Sequence, residues 1–229
     1  MYILIICTIL SSSLLFFACH KKSNVEEVIH DEEISPILKN IGDNEVIAKE
    51  ILGNLNNTHT GVEKNKDEKI KASFYNCNTD KIVIKDTKDL EDLSRVVHIA
   101  HECVHSLQDK KLQKIHFFIS NIQILYFLAI FIYFFYNKNI ELRFTLLLVQ
   151  VFIFFITFFI KVVLESDATY RAVLVSLEYL HDKLNPKQLK IFKQIVEDNL
   201  YKLVPMSYFG LFVQGVILLI IAQVGAVLT

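Results

Sequence analysis

The chain has 229 residues, 52% of them hydrophobic, with 24 basic and 25 acidic residues and a formal net charge of −1. That balance supplies no field to draw in a polyanion, so no nucleic-acid partner is expected. The apolar residues sit in four blocks separated by stretches rich in Lys, Glu, Asp and Asn. This distribution argues against one large soluble core and predicts a polytopic membrane protein.

The first block, Met1 to Ala18, is uncharged. It reads either as a retained membrane anchor, taken as residues 1–19, or as a signal peptide, although Met1-Tyr2-Ile3-Leu4 lacks a basic start. Leu15-Phe16-Phe17-Ala18-Cys19 approaches a lipoprotein cleavage box, with Phe where Leu is usual. Residues 20–114 are polar and read as a soluble region. Within it Asp43 is the expected N-cap of a helix running to Leu55, with Val46, Ile47, Ile51 and Leu52 on its apolar face. Residues 56–72 read as loop, and Lys81-Ile82-Val83-Ile84-Lys85 as a short strand. Thr87 is the expected cap of a helix from Lys88 to Asp109. Ile115–Tyr136 and Phe144–Leu164 predict a transmembrane hairpin over 115–164. Residues 165–202 read as two helices broken at Asn185-Pro186, and residues 203–229 as a last membrane helix. The cysteines, Cys7, Cys19, Cys77 and Cys103, show neither zinc-ligand pairing nor a disulfide framework.

The helix expected over 88–109 contains His101-Glu102-Cys103-Val104-His105, an H-E-x-x-H. Residues i and i+4 share a helix face, so both imidazoles can reach one ion. Glu102, one step along, can reach a water beside that ion. A metal such as zinc lowers the pKa of the water, and the glutamate takes its proton as the oxygen attacks a peptide carbonyl. Leu93, Val96, Val97, Ile99, Ala100 and Val104 would bury much of this helix, and a buried His pair flanking a Glu is costly without a partner. One zinc ion per chain is therefore expected.

A catalytic zinc commonly takes a third protein ligand. A hairpin over 115–164 returns the chain to the side of the motif, and the first residue there is Glu165. A carboxylate at the mouth of a membrane helix is expensive unless it is paired or metal-bound. Asp167, two residues on, is the rival ligand.

Ala100-His101-Glu102-Cys103-Val104-His105-Ser106-Leu107-Gln108 resembles the A-H-E-x-G-H-A-x-Q stretch of the YugP-like bacterial membrane zinc metallopeptidases. Glu165-Ser166-Asp167-Ala168-Thr169-Tyr170-Arg171-Ala172 is similar to that family's later E-F-x-A-S-R-R-A. Glu45-Val46-Ile47-Ala48 through Ile51-Leu52 resembles its first soluble helix, and Tyr75 falls where its H-Y-D-P motif has Tyr. The resemblance spans essentially the whole chain and implies Glu165 as third ligand; HtpX-type membrane proteases also place that ligand in an E-x-x-A pattern. Val104 stands where the family has Gly, Phe74 where it has His, Asn76 where it has Asp and Cys77 where it has Pro. None of these departures touches the expected ligands or the base.

Four other residues are candidates to support the ligands or the transition state: Tyr75, His98, Asp167 and Arg171. His98 lies three residues before His101 and reads either as a supporting group or as a satisfied helix histidine. Arg171 is a candidate to orient a carboxylate or stabilise an oxyanion, with a plain salt bridge as the alternative. Asp167 is a candidate to hold a ligand histidine through its ring N–H. The strand Ile82–Ile84 is a candidate edge for an extended substrate. Lys110, Lys111 and Lys114 read as headgroup anchors. His116, Asn121 and Gln123 read as marks of a helix–helix interface.

The expected protein is mainly α, with about four transmembrane helices and a small zincin-like α+β catalytic region. Near the membrane the site side carries Lys21, Lys22, Lys110, Lys111, Lys114 and Lys202, against Lys138 and Arg143 opposite. The positive-inside rule then puts the catalytic side in the cytoplasm of a bacterial plasma membrane. The expected activity is zinc-dependent hydrolysis of peptide or protein substrates close to the bilayer, and the alternative is a zinc-binding but proteolytically silent scaffold or sensor.

Overall fold

The computed structural model describes residues 31–65, 72–85, 89–136 and 140–200. The expected membrane helices at 1–19 and 203–229, the cap at Thr87, and Cys7 and Cys19 lie outside them. The described part is mainly helical with one small sheet. In chain order it holds α1 (Ser35–Lys39), α2 (Asn44–Asn54), β1 (Gly61–Asn65), β2 (Phe74–Asn76), β3 (Lys81–Lys85), α3 (Ser94–His105), α4 (Lys110–Tyr136), α5 (Ile140–Leu180) and α6 (Pro186–Leu200). These residues divide into two compact units, 114–163 and 31–113 with 164–200.

In the larger unit, α2 starts where Asp43 accepts hydrogen bonds from the main-chain N–H groups of Glu45 and Val46. Lys64 also binds the Asp43 carboxylate. The Lys64 contact and the capped N–H groups together hold that carboxyl below its ordinary value of 3.8. Asp43→Ala is expected to cost about 1 kcal/mol of stability, read from the thermal melt of the purified chain. Because the folded-state value is the lower one, Asp43's contribution is present above pH 3.8 and fades as the pH falls below it. A melt of the variant matching that of the wild type would show the cap to be idle.

The sheet has the order β1-β3-β2. β1 runs parallel to β3, from Gly61 opposite Lys81 to Asn65 opposite Lys85. β2 runs antiparallel, with Tyr75 opposite Ile82. This corrects two expectations. Residues 61–65 are strand, not loop: their one apolar side chain, Val62, gives no alternation, and pairing with β3 makes the strand. The strand holding Ile82–Ile84 is central and offers no free edge; β1 and β2 are the edges. Ile82 and Ile84 face the core fully buried, as alternation along a strand requires.

α3 is shorter than expected at both ends. At its start Asp92 accepts from the N–H and the hydroxyl of Ser94, and Asp89 accepts from the N–H of Glu91. These side chains hold residues 89–93 in turns rather than in helix. Val96, Val97, Ile99, Ala100, Cys103 and Val104 are buried on one face of α3. All but Val104 pack with Ile47, Ile51, Ile82 and Ile84, and with Ala172, Val173, Leu180 and Phe192 of α5 and α6, in one core. The buried Arg95 donates to the carbonyls of Leu38 and Gly42 and to the Asn44 side chain. It thereby ties α3 to α1, to the loop before α2 and to the first residue of α2.

α5 continues through Leu164 and ends only at Leu180, so the first of the two helices expected in 165–202 is an extension of the apolar block. The second begins as expected: Pro186 is the first helical residue, and Asn185 and Gln188 each accept the other's main-chain N–H.

In the smaller unit, α4 and α5 pack through Ile130 and Leu147 with Tyr126, Phe127, Tyr133, Leu146 and Phe154 around them. The Tyr126 hydroxyl donates to the Leu146 carbonyl. Asn121 instead binds back to the Phe117 carbonyl of its own helix and is exposed. Two helices, Lys110–Tyr133 and Thr145–Leu180, are long and apolar enough to cross a membrane. Their outward side chains are large and apolar: Leu125 is 67% exposed and Phe159 69%.

Candidate metal centre

The helical repeat puts His101 and His105 on the face of α3 opposite its buried apolar stripe. Their Nε2 atoms lie 3.0 Å apart, with the rings nearly perpendicular. Glu165 of α5 meets them: its Oε2 is 3.1 Å from His101 Nε2 and 3.5 Å from His105 Nε2. All three side chains are mostly buried, 14–21% exposed. Among the described residues these three form the group able to hold a metal ion. Ligand atoms about 2.0–2.1 Å from a tetrahedral zinc lie about 3.3 Å from one another. The observed separations bracket that value, and two imidazoles with a carboxylate are a donor set zinc accepts, so the residues present fit the ion.

The electrostatics of the group reflect this crowding. Burial pushes the Glu165 carboxyl up, but hydrogen bonds and charge from the two histidines outweigh it and hold the group well below the carboxylate range. Burial pulls His105 down, and Glu165 with Glu102 more than reverses this. Glu102 is raised: burial favours its neutral form more than His101, His105 and the Tyr75 N–H favour the charged one.

Glu102 is fixed by main chain. The N–H of Tyr75, on the edge strand β2, donates to Glu102 Oε2 at 2.7 Å. The Tyr75 phenol points elsewhere, donating to Asp80 Oδ1 at 2.9 Å. Asp80 also accepts from Thr60 and pairs with Lys110. Lys110 is thus tied to the turn after β2. Asp80 takes positive φ in that turn, a conformation Asp tolerates better than most residues.

The remaining candidates fall around this group. His98 is exposed, one turn before His101, and is not among the three. Arg171 lies 3.6 Å from Asp167, one helical turn away, the salt-bridge alternative. Asp167 does not hold a ligand histidine itself. It accepts from Gln108 Nε2 at 2.8 Å, and Gln108 Oε1 accepts from His105 Nδ1 at 2.8 Å. Thr169 Oγ1 lies 3.4 Å from His101 Nδ1. Gln108 and Thr169 were missed as contacts of the ligands. Gln108 had a signal: it stands three residues after His105, within side-chain reach on one helix face. Thr169 had the same one, four residues after Glu165. Val104, where the resembled family has Gly, is fully buried, and Phe74 is 38% exposed on β2.

Comparison with protein-family models, curated proteins and solved structures returns no match to this chain.

Proposed function

We propose that the chain is an integral membrane zinc metallopeptidase of the YugP-like kind, hydrolysing peptide bonds in substrates near the bilayer. The observation that carries this reading is the convergence of His101, His105 and Glu165, with Glu102 held beside them by a strand-edge N–H. Two histidines and a glutamate are a ligand set of catalytic zinc sites, which keep one position open.

Bound there, zinc supplies a Lewis acid that lowers the pKa of a water and polarises a carbonyl. Glu102 takes the proton from the attacking water and delivers it to the leaving amine. Its partly buried position raises its proton affinity, and a cation held beside it would draw that affinity back down. The Tyr75 N–H fixes the direction in which the carboxylate faces.

The apolar surface of 114–163 supports the membrane part of the reading, since so many exposed Leu, Ile and Phe side chains suit lipid rather than water. With residues 1–19 and 203–229 counted as spans there are four. The Lys-rich side, and with it the site, then faces the cytoplasm.

The test uses full-length chain purified in detergent, with casein as substrate. Treatment with a zinc chelator is expected to abolish cleavage, and one equivalent of Zn²⁺ to restore it. Cleavage that persists at full rate through chelation would overturn the zinc mechanism.

A further inference from the structure

Gln108 lies just beyond α3, buried, and its amide has a determined orientation. Its Nε2 is 2.6 Å from the Leu164 carbonyl oxygen and 2.8 Å from Asp167 Oδ2. A carbonyl and a carboxylate only accept, so the NH₂ end must face them. The amide oxygen is therefore the atom 2.8 Å from His105 Nδ1. An oxygen there needs a donor, which puts a proton on His105 Nδ1 and makes Nε2, the atom facing His101 and Glu165, the one that would bind a metal. Gln113 Nε2 approaches the same oxygen at 3.3 Å and donates to the His105 carbonyl at 2.6 Å.

One side chain thus sets the tautomer of a histidine on α3 and grips α5 on both sides of Glu165, at residues 164 and 167. The corresponding contact of the other histidine, Thr169 to His101 Nδ1, is longer at 3.4 Å and, among the described residues, joins no third group.

We propose that Gln108 is the positioning residue of this centre: it presents His105 Nε2 to the metal and holds the α3 and α5 ligands in register. This rests on His101, His105 and Glu165 being metal ligands. Groups that orient a ligand histidine typically contribute about 10–100-fold to metal affinity.

The experiment titrates Co²⁺ into metal-free, detergent-purified full chain, following visible absorption and competing with a chelator. Gln108→Leu, which removes donor and acceptor together, is expected to bind Co²⁺ about 10–100-fold more weakly, with altered absorption bands. Gln108→Glu keeps an acceptor for His105 but sets a second carboxylate against Asp167, and is also expected to weaken binding. The double variant Gln108→Glu with Asp167→Asn restores a donor–acceptor pair at residue 167 but not the donor to the Leu164 carbonyl, and is expected to recover part of the affinity lost in Gln108→Glu. A purely structural role would not predict that rescue. If Gln108→Leu does not fold, the Glu variant and the double variant carry the comparison.

Wild-type affinity and spectrum in Gln108→Leu, or equal weakness in the Glu variant and the double variant, would overturn the proposal while leaving the metal centre standing. Wild-type chain that binds no Co²⁺ would sink both.

Discussion

Glu102→Gln is expected to retain zinc and to lose peptide cleavage by about 10⁴-fold, the upper range for a positioned acid–base group. The amide cannot take a proton from water, so the step assigned to the carboxylate fails. The rest of the site has no reason to change. The amide oxygen still accepts the Tyr75 N–H that Glu102 Oε2 accepts now, so β2 keeps its tie to α3. Glu102 is also not one of the three grouped ligands. Glu102→Ala is the poorer experiment, because it removes that acceptor as well and mixes a structural loss with the chemical one. The measurement is casein turnover beside zinc content on the same preparation. Turnover unchanged in the Gln variant would remove Glu102 from the mechanism, and zinc loss would make it a ligand.

Glu165→Gln is expected to weaken zinc binding by more than the roughly 100-fold upper range of a positioning group, leaving the dialysed protein largely metal-free. The Glu165 oxygen lies 3.1 and 3.5 Å from the two imidazole nitrogens. It is the only anionic member of the group, and His101 and His105 alone leave a two-ligand site. Metal analysis after dialysis against a weak chelator checks this. Full zinc in the variant would reassign the third ligand to Asp167 or His98. That would be surprising for Asp167, whose carboxylate is already engaged by Gln108 and Arg171.

Features written in local spacing were legible beforehand. The i, i+4 histidines, the Asp43 cap and the Asn185-Pro186 start each need only neighbours in sequence, and their residue types have few other uses. Glu165 was reached by a topological step, the return of a hairpin, and the resemblance pointed to the same residue. What stayed hidden depends on partners far along the chain. β1 has one apolar side chain and becomes a strand through parallel pairing with β3, twenty residues later in register. That same pairing turned an expected edge strand into a central one. The late start of α3 lies in Asp89 and Asp92, whose side chains compete for main-chain N–H groups in a way helix propensity does not reveal. Gln108 was visible as a residue, but its role required knowing that Leu164 and Asp167 come beside it.

The ligand group is split along the chain, with His101 and Glu165 64 positions apart and the apolar hairpin between them. A ribosome adding roughly 5–20 residues per second needs about 3–13 s to cover that interval. For that time a growing chain has His101, Glu102 and His105 but not Glu165. On the proposed reading, the centre is therefore incomplete until the hairpin has been synthesised. In the proposed peptidase, the order of the residues alone would delay completion of the centre.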